Sequence, residues 1–174
     1  MLMALTGAMR QSELHLLKIS EMLDKGNSIE FHIGGLTKTR PVGQGPVPAI
    51  VTFSAYTADK RLDVVECIRA YIARTHHKRK EHTQLLISFN QPHNPIVSCS
   101  LARWLCTIMH MSGIDIEKYK AHSTRSASTS KARQVGLNAH QEIMARANWL
   151  REHTFWQYCC RESDNMNFQD AVLK

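Results

Sequence analysis

Acidic side chains, aromatic rings and long apolar runs are all scarce in this chain, and each scarcity excludes something. No apolar run approaches the ~20 residues that a helix needs to cross a bilayer, so no membrane partner is expected. Met1, Leu2, Met3, Ala4 and Leu5 are apolar, but no basic segment precedes them and a polar helix pattern follows at once, which is not the layout of a secretory signal. Cysteines number five, at 67, 99, 106, 159 and 160; the count is odd, none stands in a Cys-x-x-Cys pair, and the last two are adjacent. That pattern argues against a disulfide framework and for reduced thiols in an intracellular compartment. His76, His77 and His82 lie close in sequence, yet no cysteine pair stands beside them at zinc-ligand spacing, so no metal and no other cofactor is expected. Internal repeats and long low-complexity segments are also missing, and 174 residues suit a single domain.

Basic residues are what the chain has in excess. Lysine and arginine total 22 against 15 aspartates and glutamates, a formal charge of +7. A positive field favours polyanions, because neutralising phosphates releases their condensed counterions. The distribution says more than the sum: residues 118–133 carry five lysines and arginines and no acid, and they enclose His122 and Arg125.

Periodicity assigns a mainly α fold with a small antiparallel β-sheet near its start. Residues 2–17 have helical spacing interrupted around Gly7, Ala8, Met9 and Arg10. Residues 28–33 alternate as a strand, Gly34 and Gly35 open a hairpin, and residues 47–53 return. Pro41, Pro46 and Pro48 with Gly43 and Gly45 keep the intervening segment irregular. Residues 62–74 read as an amphipathic helix and 98–111 as a further helix, with a short buried strand at 85–89 between them. Ser123 or Thr124 caps a helix predicted to end at Gly136, Asn138 with Gln141 starts the next, and a last helix covers 154–160. The basic run from Arg74 to Lys80 reads first as a solvated helix end, with contact to a DNA backbone as the alternative.

Chemistry concentrates in the last third. His122, Ser123, Thr124 and Arg125 are followed by Trp149 and, nine residues later, by Tyr158. This is an ordered set of proton-transfer group, permanent cation, indole donor and phenol. A phosphodiester is attacked readily when its negative oxygens are held and its leaving oxygen is protonated. Guanidinium forks match two phosphate oxygens and stay charged at any working pH. A phenol can attack phosphorus and store the energy of the broken bond in a phosphotyrosyl ester. Lysine or histidine moves the protons, and protein cations can take the place of a metal. Singly, each residue has a plainer reading: Arg10 on the surface, His122 at a helix start, Trp149 in the core, Lys38 as a solvated hairpin charge. Tyr56, Tyr71 and Tyr119 read better as packing residues, and the spacing from Trp149 decides for Tyr158 as the reactive phenol.

The ordered set resembles the catalytic domain of the tyrosine recombinases, the phage-integrase family. Gly7, Arg10, Glu13 and Leu14 are similar to the family's first-arginine motif, and His122 with Arg125 to its His-x-x-Arg box. Trp149 stands where members have His or Trp, Tyr158 at the nucleophile, and Lys38 in the hairpin that carries the family's lysine. Residues 121–131 are also similar to recombinases of the DIRS/Ngaro and Crypton eukaryotic mobile elements.

The resemblance implies that Arg10 and Arg125 grip the scissile phosphate and Tyr158 attacks it, leaving a 3′-phosphotyrosyl link. Lys38 protonates the departing 5′ oxygen, His122 assists proton transfer, Trp149 donates its indole N–H, and Glu13 braces the helix of the first arginine. It further implies double-stranded DNA as partner, a homo-oligomeric (tetrameric) synaptic complex and a nuclear location. Residues 1–174 would form one catalytic domain, shortened at its N-terminus and without the family's core-binding domain. Two other functions stay open on sequence: an inactive DNA-binding remnant of a mobile element, and a type IB topoisomerase-like enzyme.

Overall fold

The structure, a computed structural model, describes residues 1–33, 49–134, 142–144, 147 and 152–159, with backbone alone at 49, 154 and 157–159. Lys38, Trp149 and most of the helix expected from Asn138 lie outside the described residues. Helices α1 (Leu2–Thr6) and α2 (Gln11–Leu14) open the fold, followed by strands β1 (Met22–Asp24), β2 (Ser28–Ile33) and β3 (Ala49–Ser54). Then come α3 (Val64–Thr75), α4 (Ser98–Met111), α5 (Ser123–Gln134) and α6 (Glu152–Cys159). No described helix is long and apolar enough to cross a membrane.

The sheet is antiparallel in the order β1-β2-β3, with Phe31 opposite both Met22 and Val51. Alternation on β2 buries Ile29, Phe31 and Ile33. That is the period-two pattern of a strand with one face on the core. Phe31 and Phe53 meet edge to face at 6.1 Å. The core between sheet and helices also takes Leu14, Leu17, Val64, Val65, Ile68, Leu101 and Leu105.

Local chemistry sets the helix boundaries. Asp63 caps α3, its Oδ1 accepting from the N–H groups of Val65 at 2.9 Å and Glu66 at 3.3 Å, so the helix starts two residues later than periodicity suggested. Leu101, Leu105 and Met109 fall on one stripe of α4, which stops at Gly113 with φ of 76°. The sequence also suggested a strand at 85–89. The chain there makes isolated bridges only, Lys18 to Gln84 and Ile87 to Pro95. Proline has no N–H to extend the ladder, so pairing stops there. The short strand β1 escaped periodicity because three residues are too few to show it.

Arg79 closes the connection between α3 and the 84–87 segment. Its buried guanidinium donates to the Gln84 carbonyl at 2.6 Å, the Leu85 carbonyl at 2.8 Å and Thr75 Oγ1 at 2.6 Å. It lies 5.5 Å from the Tyr71 ring centre, and the Tyr71 phenol accepts from the Ile87 N–H at 3.1 Å. Tyr71 thus packs as expected, whereas Tyr56 and Tyr119 are 49% and 44% exposed and belong to the surface.

Two predictions concern stability. Arg79→Met removes three hydrogen bonds and leaves buried carbonyls without a donor, so urea denaturation should show a loss of about 2–4 kcal/mol. On the surface, Asp24 takes a two-pronged contact from Arg69 at 2.7 and 2.8 Å. Hydrogen bonds from the Arg69 guanidinium, then from the Gly26 N–H, lower its carboxyl from 3.8 to about 2. A carboxyl depressed in the folded state stabilises above its unfolded pKa and loses that contribution as pH falls through the folded value. The Asp24→Asn thermal midpoint should therefore fall less steeply than the wild type's between pH 4 and about 2.

Candidate active site

Arg10 ends a turn that only glycine could begin. At Gly7 a Cβ would stand 2.9 Å from the Met3 carbonyl oxygen and 3.0 Å from the Phe53 ring, too close for any side chain. Ala8 follows at φ 47°, a left-handed conformation that costs a non-glycine residue ~1–2 kcal/mol. That cost is offset where Ala8 is buried with Ile143, Ala147 and Phe155 in a second, smaller apolar cluster. The same cluster fastens the turn to α6, the helix that carries Tyr158 in its last turn.

Arg10 is the extended N-cap of α2, with φ −74° and ψ 150°. Glu13 folds back onto it: Oε2 accepts from the Arg10 backbone N–H at 2.9 Å, and Oε1 from Nη1 of the guanidinium at 2.8 Å. The same Oε2 lies 3.6 Å from Nη1 of Arg125, which is 1% exposed. One buried carboxylate therefore holds two arginines that are 115 positions apart in the chain. Together the three groups carry one net positive charge in a largely water-free setting, where an unpaired charge would be expensive.

Arg125 sits in the first turn of α5, its N–H 3.2 Å from the His122 carbonyl. Its Nη2 donates to the carbonyl of Ala147, a fully buried residue two positions before Trp149. The guanidinium thus joins the first-arginine turn, α5 and the approach to Trp149. Ser123 and Thr124 do not cap α5 as expected: the Thr124 hydroxyl donates to the Ala121 carbonyl at 2.9 Å, and Ser123 Oγ accepts from the Lys120 N–H at 3.2 Å. His122 is exposed at the helix start.

Of the six residues proposed from sequence, Arg10 and Arg125 meet through Glu13, His122 directly precedes α5 three positions before Arg125, and Tyr158 lies on the helix fastened by Phe155. Lys38 and Trp149 fall outside the described residues, as does the side chain of Tyr158. Sequence reasoning saw Glu13 as a brace for Arg10 alone. Its second partner and the Ala147 acceptor come from distant segments and leave no local signature. Among the described residues, no group of three His, Cys, Asp or Glu side chains is placed to hold a metal ion.

No profile of a known protein family matches the chain, and no curated protein sequence does. Solved structures do match. The XerH site-specific recombinase, in its pre-cleavage complex with its difH substrate, superposes with a TM-score of 0.68 at 15% identity, over 98% of this chain and 44% of that one. The fold is that of a tyrosine recombinase catalytic domain. XerA recombinase gives 0.67 at 16% identity, over 98% and 53% of the two chains. A lambda integrase dimer bound to a COC′ core site gives 0.62 at 14% identity, over 95% and 43%. This chain spans about half the length of these recombinases.

Removing the shared carboxylate should be costly. Glu13→Ala leaves two guanidinium ions facing each other without their counter-charge, and a loss of about 3–5 kcal/mol is expected in urea denaturation. Glu13→Gln keeps the shape and the acceptor for the Arg10 N–H, and should lose less.

Proposed function

We propose that this chain cleaves and rejoins DNA strands in site-specific recombination or integration, through a 3′-phosphotyrosyl intermediate. The observation that carries the proposal is the joining of Arg10 and Arg125 by Glu13, on the fold of a tyrosine recombinase catalytic domain. Two forked cations set side by side suit the nonbridging oxygens of one phosphodiester, and their charge rises in value as the phosphorus becomes pentacoordinate. The Tyr158 oxygen bonds to phosphorus, the bond to the 5′ oxygen breaks, and Lys38 gives that oxygen its proton. The phenol proton leaves through His122, and Trp149 donates to a phosphate oxygen. Attack by the 5′-hydroxyl of a second strand reverses the step, so the bond energy is conserved and no nucleotide is consumed. Double-stranded DNA is the partner in this reading, and a tetramer of the chain on paired sites is the assembly. Affiliation with a eukaryotic mobile element, and with it a nuclear location, rests on the motif at 121–131.

A suicide duplex tests the reading: a nicked DNA with a randomised core is incubated with the protein and resolved on a denaturing gel. Wild type should give a covalent band that Tyr158→Phe abolishes. Arg125→Ala should reduce it about 10²–10³-fold, the usual cost of losing a donor to a transition-state oxyanion. Folded wild-type protein that binds duplex in a salt-dependent way yet gives no covalent band would instead be a DNA-binding remnant.

A further inference from the structure

Between Glu66 and Asp115 the chain carries six lysines and arginines (69, 74, 78, 79, 80 and 103) and one acid, Glu81. Those 48 residues hold five of the seven net charges of the whole chain. The structure sorts them. Arg69 is bound to Asp24 and Glu66, and Arg79 is turned inward onto backbone carbonyls. Arg74 and Lys80 are exposed and Lys78 is half-buried, and among the described residues none of the three has a carboxylate partner.

Beside Lys78 stands Phe89, 82% exposed and the most exposed large apolar residue among those described. The Lys78 ammonium lies 5.6 Å from the centre of its ring. The turn that displays Phe89 is built, not slack. Ser88 donates its N–H to the Asn94 carbonyl at 2.7 Å and accepts from the Asn90 N–H through Oγ at 3.2 Å. The His93 N–H reaches the Asn90 carbonyl at 2.9 Å, and its ring Nδ1 lies 3.1 Å from the Ser88 carbonyl. The turn thus presents a phenyl ring beside a lysine that has no carboxylate partner among the described residues. A single exposed ring is ordinary on a protein surface; here it stands against a cation, and the two together offer an apolar face and a positive charge to one ligand.

We infer that the surface formed by Lys78, Lys80 and Phe89 is a second contact to duplex DNA, apart from the Arg10–Glu13–Arg125 centre. It rests on the reading that DNA is the partner. The lysines take phosphates as point charges, and the ring packs on the deoxyribose edge beside them, where an apolar face and a neighbouring cation are both matched. Its effect is to extend the grip along the duplex: α4, which follows this turn, packs against α2, the helix that Arg10 caps. Contacts of this class position the protein and read no sequence.

The test is fluorescence anisotropy with a non-specific 30-base-pair duplex over a range of KCl concentrations, with the suicide-duplex gel run in parallel. Lys78→Ala/Lys80→Ala should weaken binding about tenfold near 0.1 M salt and lower the salt slope by about 1–2, the loss of one or two phosphate contacts. Phe89→Ser should weaken binding about threefold and leave the slope unchanged. Thermal midpoints within a degree or two of wild type show that each variant folds. Lys25→Ala/Lys60→Ala removes the same charge from outside this stretch and should change the affinity no more than about twofold. An unchanged affinity and slope in Lys78→Ala/Lys80→Ala would falsify the inference, and an equal loss in the control pair would reduce it to net charge. Covalent capture by wild type is read separately, so this contact can fail while the recombinase reading stands. The contact can also hold in a protein that binds duplex and does not cleave.

Discussion

The pairing of Arg10 with Arg125 depends on a single carboxylate. Two arginines brought close in a dry interior repel, and neither the turn at Gly7 nor the start of α5 could keep them there unaided. Glu13 resolves this by accepting from the Arg10 guanidinium and backbone N–H while its Oε2 also forms an ion pair with Arg125 at 3.6 Å. Its position three residues after Arg10 lets it serve as the acidic end of a cap. Its burial then lets Coulomb attraction act at a strength that the surface would screen away. The rest of the architecture delivers α1, α2 and α5 to this point and excludes water around it.

Around this centre the apolar packing divides into two clusters of unequal size. The larger lies under the sheet, α3 and α4, and it fixes the position of α2 through Leu14 and Leu17. The smaller holds Ala8, Ile143, Ala147 and Phe155, and it ties the first-arginine turn to the segment and helix beyond α5. Ala8 in its left-handed conformation belongs to this second cluster. The strain of the turn and the docking of α6 are thus one packing problem, since a chain that relaxed Ala8 would also release Phe155.

Most of the helices and the β2–β3 pairing were legible because they follow period and caps: α4 came out at 98–111 as read, and β2 at 28–33. What periodicity could not supply was pairing without period. β1 is too short, and residues 85–89 are rich in strand formers but face a proline. At the site, Arg10 with Glu13 was readable because their spacing is local. The link from Glu13 to Arg125 joins segments more than a hundred positions apart, and the Ala147 acceptor is a backbone oxygen that no side-chain pattern reveals. The tyrosines show the limit in the other direction. Tyr56 and Tyr119 look like core residues by type, yet the fold leaves them at the surface.

The long reach of the Glu13–Arg125 contact has a consequence in time. While the chain is being synthesised, Arg10 and Glu13 emerge together and pair locally, but Arg125 follows more than a hundred residues later. Joining them closes a long loop, whose entropy must be spent before the contact returns anything. The paired-arginine centre therefore matures only after α5 docks. Before that, a partly folded chain carries a scattered positive charge and no paired fork. The joining of the two guanidinium groups then serves as a check that the fold is complete.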